Sequence, residues 1–352
     1  MNALDSAISI RTKPRIARDI PPDTPRVEAG KNPLPLTPLL VAGAALLAVS
    51  SMRFSIPALA WVAAAPLLAV LYQDGGLRRH LWVFAAITVG ANIAIAKIVT
   101  PPIVWPMMFM FTIPASLTTF AIVSVSAGAS RKLGVGWGIY AFPAFVVTGE
   151  WLTYTFTELS SWGALAYTQV DNLTLTQNAT IAGIAGVSFL VALGSSVTAS
   201  VLAQGLRPVK WHLAFFAALF VAAHLYGEIR LATDNTGPYV NVATVESPVP
   251  VERIPAIITN PSTGREYDAK LFERTALAAD MGAKVAAWNE VGTMILPADE
   301  AAFVERGRNL AREKKITIVM SYGILLSSNP IRFENKYLWI RPDGSIADEY
   351  WK

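Results

Sequence analysis

Of 352 residues, 53% are hydrophobic and only 15% charged, with a mean hydropathy of +0.42; a soluble domain averages about 25% charged residues, so the composition argues against an ordinary soluble enzyme. Before Gly237 there are 15 Lys and Arg against 10 Asp and Glu, and from there on 14 against 15, so the net charge of +4 belongs to the apolar part. There is no cysteine, and His80, His212 and His224 all precede residue 237, which excludes disulfides and thiolate sites from these residues and a Ser-His-Asp triad or His-based metal cluster from the polar part.

Residues 1–35 mix proline with Arg and Lys and hold no apolar run of the length a signal peptide needs, so they read as a disordered basic tail. From Leu36 apolar runs recur, close to the roughly 20 residues that cross a bilayer as a helix. Seven spans are expected, at 36–51, 55–73, 81–100, 103–127, 135–156, 178–204 and 211–229. Internal prolines such as Pro66, Pro106, Pro114 and Pro143 are tolerated where neighbouring helices re-satisfy the freed carbonyls. One alternate set of loops carries the cations: the tail, then Arg78 and Arg79, Arg131 and Lys132, and Arg207 and Lys210. Lys and Arg in short loops stay cytoplasmic. The N-terminus is therefore expected in the cytoplasm and everything after Arg230 outside it.

Beyond Gly237 the pattern is that of a water-soluble α/β unit. A strand is expected at 239–245, then a helix at 266–281 with Leu271, Leu277, Ala278 and Met281 on one face and Gly282 ending it. A second strand follows at 284–288. Pro297, Asp299 and Glu300 open a helix that closes at Lys314 and Lys315, charges that suit its dipole. A short buried strand at 316–320 and a hairpin over 334–350, turning at Pro342-Asp343-Gly344, complete the order.

Three places offer chemistry. Glu290 follows the second strand, at the carboxyl edge where open α/β sheets place ligands, though a loop glutamate is usually just solvated. Lys352 follows Tyr350 and Trp351, where a lysine is ordinarily a solvated end. Glu150 lies inside an apolar span, which is costly unless it faces protein or water, and Trp162, Tyr167 and Gln169 follow it. Lys97 is at similar depth and is expected to pair with Glu150. Aromatic side chains also gather at membrane boundaries for interfacial reasons alone.

Together, FPAFVVTGEWL, SSWGALAYTQVDN and Gln177 with GIAGVSFLVAL resemble the membrane part of bacterial apolipoprotein N-acyltransferases. VNVATVESP, VAAWNE and FENKYLWIRPDGSIADEYWK resemble the first half of the carbon-nitrogen hydrolase (nitrilase) domain those enzymes carry. The resemblance covers residues 36–352. It implies a membrane all-α bundle of about seven transmembrane helices at 36–231, then at 237–352 a partial α/β nitrilase-like domain, half of an αββα sandwich. It implies a bacterial inner-membrane protein that transfers an acyl chain from a phospholipid donor to the N-terminal amine of a lipoprotein acceptor, with no metal, no organic cofactor and no nucleic-acid partner. Position by position, Glu290 matches the family's general base and Lys352 its catalytic lysine, the stabiliser of the oxyanion. Glu150, Trp162, Tyr167 and Gln169 are the implied substrate contacts. The chain departs in two ways: Asn289 stands where the family usually has proline, and the nucleophilic cysteine, expected several tens of residues beyond the lysine, is absent. The expectation is a C-terminally truncated and inactive polypeptide. The alternatives are a non-catalytic scaffold or lipoprotein-binding remnant and, less consistent with the absence of internal repeats, a small-solute transporter.

Overall fold

The computed structural model describes residues 34–73, 76–99, 105–157, 159–233 and 237–352. The expected basic tail lies almost wholly outside them. By internal contacts the chain divides into two units, one up to residue 98 with 109–232, the other 233–352 with 99–108.

In the first unit the helices are α1 (Leu36–Ser50), α2 (Pro57–Ala60), α3 (Ala65–Gln73), α4 (Leu77–Ala96), α5 (Met108–Gly138), α6 (Ala141–Phe156), α7 (Leu173–Thr176), α8 (Ala179–Gln204) and α9 (Leu206–Ala232). Four segments among the described residues are long and apolar enough to cross a membrane: Leu77–Ala96, Met108–Gly134, Ala179–Gln204 and Leu206–Ala232. The other three expected spans fall on shorter helices. α1 has 15 residues, α6 has 16, and turns over 61–64 separate α2 from α3. Helix length and composition therefore support four crossings, not seven.

The core of this unit forms where α8 meets its neighbours. Much of α8 is small, with Gly194, Ser195, Ser196, Ala199 and Ser200 buried in one stretch, and such residues let helices approach closely. Their hydroxyls also satisfy irregular backbone. Ser195 Oγ donates to Trp61 O at 3.1 Å and accepts from Ala64 N at 3.3 Å, and Ser196 Oγ donates to Ile139 O at 2.6 Å. Non-helical backbone between apolar helices needs such partners. α1 and α4 approach as closely: a Cβ at Gly90 would lie 2.7 Å from Ala44 O.

The second unit holds one six-stranded mixed sheet. Its strands are β1 (Val242–Val245), β2 (Val285–Trp288), β3 (Met294–Ile295), β4 (Thr317–Ser328), β5 (Ile331–Ile340) and β6 (Ile346–Trp351). The order is β1-β2-β4-β5-β6, with β3 beside β4. β1, β2 and β4 run parallel; β5 and β6 add as antiparallel hairpins. α10 (Ile254–Thr259), α11 (Arg265–Asp280) and α12 (Glu300–Lys314) connect the parallel strands. Leu271, Phe272 and Phe303 from α11 and α12 pack on Ala286, Trp288, Ile318, Met320, Tyr322 and Ile340 of the sheet.

Two sequence expectations change here. The buried strand at 316–320 runs on to Ser328, because β5 gives it an antiparallel partner along its length. On α11 the buried face is Tyr267, Leu271, Phe272 and Thr275, while Leu277 and Met281 are exposed. Leu271 and Leu277 are six residues apart, about 240° around a helix of 3.6 residues per turn, so one narrow face cannot hold both. Gly282 ends the helix as expected, with φ at 96°.

Gly90→Leu should force α1 from α4 and, as an overpacking change, cost about 1–3 kcal/mol. Thermal unfolding in detergent checks this against Gly136→Ala, where a Cβ meets nothing within 4 Å and no loss is expected.

Candidate functional site

Glu290 sits in the loop that leaves β2 at the carboxyl edge of the parallel strands. Several backbone contacts hold that loop. Asn289 N–H donates to Val245 O at 3.2 Å, Gly292 N–H to Ser321 O at 3.0 Å, and Gly323 N–H to Thr293 O at 2.8 Å. The buried Ser321 hydroxyl accepts from Val291 N–H at 3.0 Å. Asn289, in the place the family gives to proline, accepts Ser247 N–H on its side-chain oxygen at 2.7 Å.

Lys352 reaches the same place from the far end of the sheet. β6 pairs with β5 so that Trp351 faces Lys336, and Lys352 N–H then donates to Asn335 O at 2.9 Å. The Lys352 ammonium donates to Glu290 Oε1 at 2.8 Å, and Asn335 Nδ2 donates to the same oxygen at 2.9 Å. Three elements thus converge on one carboxylate. The pair is open to solvent, with about half of each side chain exposed (58% for Lys352, 50% for Glu290). The Lys352 hydrogen bond holds the Glu290 carboxyl below the usual carboxylate range, against a weaker upward push from burial. The same bond raises the Lys352 ammonium above its ordinary value. The site therefore contains an ionised acid and a charged amine at neutral pH, not a carboxyl raised by a shielded pocket.

Asn335 was within the family-like segment but carried no assigned role in the sequence; only the strand register shows it touching Glu290. Ser321 gave no signal at all, being one more residue of a buried strand.

The other candidates, all in the first unit, are placed differently. Glu150 accepts Leu165 N–H at 2.7 Å and the Tyr154 hydroxyl at 3.1 Å. Lys97 does not pair with it: its ammonium donates to Ala48 O at 2.8 Å and Ser51 O at 2.6 Å, closing the end of α1. Gln169 is buried; its amide accepts Trp61 Nε1–H at 3.1 Å and donates to Pro57 O at 2.8 Å. It is engaged in holding the bundle together, and its amide is not directed outward. Trp162 and Tyr167 are half exposed, the first 6.2 Å from the Phe111 ring and the second bonded to Ser161 at 2.7 Å. Among the described residues no group of three or more His, Asp or Glu side chains converges as a metal site.

Apolar helices of crossing length and a separate unit built on a mixed sheet make this a membrane protein with an appended α/β unit. Residues 43–197 match the N-terminal domain of apolipoprotein N-acyltransferases. An apolipoprotein N-acyltransferase of Geobacter metallireducens (strain ATCC 53774 / DSM 7210 / GS-15) is 25% identical over 326 residues, covering 88% of this chain and 61% of that protein. The chain is a member of the apolipoprotein N-acyltransferase family, and spans about three-fifths of the length of that curated relative. A solved structure, the NitN amidase from Neterenkonia sp. AN1, is 17% identical with a TM-score of 0.23, over 32% of this chain and 44% of that one, a likeness too slight to carry an argument.

Replacing Lys352 by Met should return the Glu290 carboxyl upward toward the ordinary range, read by NMR titration of 13C-labelled glutamate with Glu290→Gln as assignment. The sign follows from linkage. Because the folded state lowers this carboxyl, the pair's stabilisation is present above the unfolded carboxylate value and is lost as pH falls through the lowered one. Lys352→Met should flatten that acid limb.

Proposed function

We propose that this chain carries the base and the oxyanion stabiliser of an N-acyltransferase that moves an acyl chain from phospholipid to the N-terminal amine of a lipoprotein. The observation that carries this reading is the 2.8 Å contact between Glu290 and Lys352, two residues 62 positions apart that match the family's acid and lysine.

The chemistry follows from their charge states. An ionised Glu290 accepts the proton of a thiol as the thiolate attacks an ester carbonyl, and the Lys352 ammonium beside it stabilises the oxyanion. The alcohol leaves and the acyl group is held on sulfur. An amine then attacks the thioester, giving an amide and restoring the thiol. No step calls for a metal or an organic cofactor.

These 352 residues hold no cysteine, so a polypeptide of these residues alone should transfer no acyl group to a diacylated lipopeptide. Turnover above background in detergent would overturn that. Saturable binding of the same lipopeptide to the reconstituted chain is expected, and its absence would overturn the substrate assignment. The lack of cysteine also favours the second reading, a lipoprotein-binding scaffold without catalysis, which the same pair of measurements separates from an active enzyme.

The cations of Arg78, Arg79, Arg131, Lys132, Arg207 and Lys210 support an inner-membrane placement with the second unit outside the cytoplasm. The cysteine-free background gives a direct check. In spheroplasts an impermeant maleimide should label Asp343→Cys, while Lys132→Cys should label only after permeabilisation; the reverse pattern inverts the topology.

A further inference from the structure

One position after Glu290, Val291 has a φ of 48°. A β-branched residue in the left-handed region is a genuine outlier, and such backbone persists only where the surroundings over-determine it. The side of the loop toward β4 is held by backbone through Ser321 and Gly323. The side toward α11 is held by one pair of side chains: Thr293 Oγ1 donates to Asp268 Oδ1 in a short hydrogen bond. Thr293 is 4% exposed and follows Glu290 by three residues. Asp268 lies in the first turn of α11, and no step of the acyl transfer above uses it.

We propose that Thr293 and Asp268 are positioning residues for the Glu290–Lys352 pair: their hydrogen bond ties the loop to α11, keeps Val291 in its left-handed conformation, and so fixes where the Glu290 carboxylate lies. Burial pushes the Asp268 carboxyl above its ordinary value, while the Thr293 hydrogen bond and the nearby Arg306 and Arg265 oppose that and Asp299 adds to it. A carboxylate taken partly out of water is retained at a cost unless it is bonded, and the bond it makes here is the one that anchors the loop. Without it Val291 relaxes toward extended backbone. Glu290, its immediate neighbour, then turns away from the lysine.

The inference rests on the reading of Glu290 and Lys352 as the reacting pair, but its test does not need turnover. The full chain in detergent is treated with a limiting amine-acylating reagent, and the extent at each lysine is read by mass spectrometry. Lys314, paired with Asp280 at 2.8 Å elsewhere in the unit, serves as the reference, so the readout is the ratio of Lys352 to Lys314 labelling. Glu290→Gln sets the ratio for a released lysine. Thr293→Val keeps the shape without the hydroxyl and should raise the ratio about two- to fivefold, the scale of an exposed ion pair. Thr293→Ser keeps the hydroxyl and should stay at the wild-type ratio, and Asp268→Ala should match Thr293→Val. A Thr293→Val ratio equal to wild type, whatever its melting temperature, overturns the proposal and leaves Thr293 a structural contact. A Glu290→Gln ratio equal to wild type overturns it too, by removing the pair. Failure of the acyltransferase reading shows separately, as absent lipopeptide binding, with these ratios unaffected.

Discussion

The antiparallel ladder between β4, β5 and β6 is what the candidate site depends on. β4 pairs with β5 from Ile318 opposite Ile340 to Ser328 opposite Ile331, and β5 pairs in turn with β6. Through this register Gly323, Asn335 and the end of β6 come level with the loop that leaves β2. A slip of one residue would turn every side chain on a strand to the other face. Asn335 and Lys336 would exchange faces, and neither would reach its present partner.

Those two neighbours divide the charge of the unit between the faces of the sheet. Alternation along a strand sends them opposite ways. Asn335 meets the solvent-open Glu290–Lys352 pair. Lys336 turns under the sheet toward Glu300 at 2.7 Å and Glu349, and its ammonium lies 5.1 Å from the centre of the Trp351 ring. Burial alone would lower the Lys336 ammonium, but the two carboxylates outweigh it and raise it. The buried Tyr322 hydroxyl donates to Glu300 at 3.1 Å. The enclosed cluster binds α12 to β5 and β6, so the strand that delivers Lys352 is held from beneath, while the exposed pair is left accessible for chemistry.

In the helical unit the same economy of polar groups works toward packing. The serines of α8, the amide of Gln169 and the ammonium of Lys97 each satisfy backbone or indole groups at helix breaks and ends. In an apolar surrounding an unsatisfied carbonyl costs several kcal/mol, so these side chains serve the bundle first. That is why Lys97 and Glu150, though at similar depth, find separate partners.

How much could be read from residues alone depends on range. Hydropathy and loop cations are local sums, and from them the apolar part, its helices and the onset of a polar α/β unit at Gly237 were legible, as were the Pro342-Asp343-Gly344 turn and the helix end at Gly282. Family motifs added Glu290 and Lys352 one at a time. Span number was overcounted, because an apolar run does not reveal where turns at 61–64 will interrupt it. The full length of β4, the face of α11, the place of Asn335, and the Thr293–Asp268 bond belonged to the tertiary structure. Each is set by strand register or helix azimuth against a distant partner, and a side chain's neighbour across a sheet is fixed by pairing between segments that no local pattern encodes.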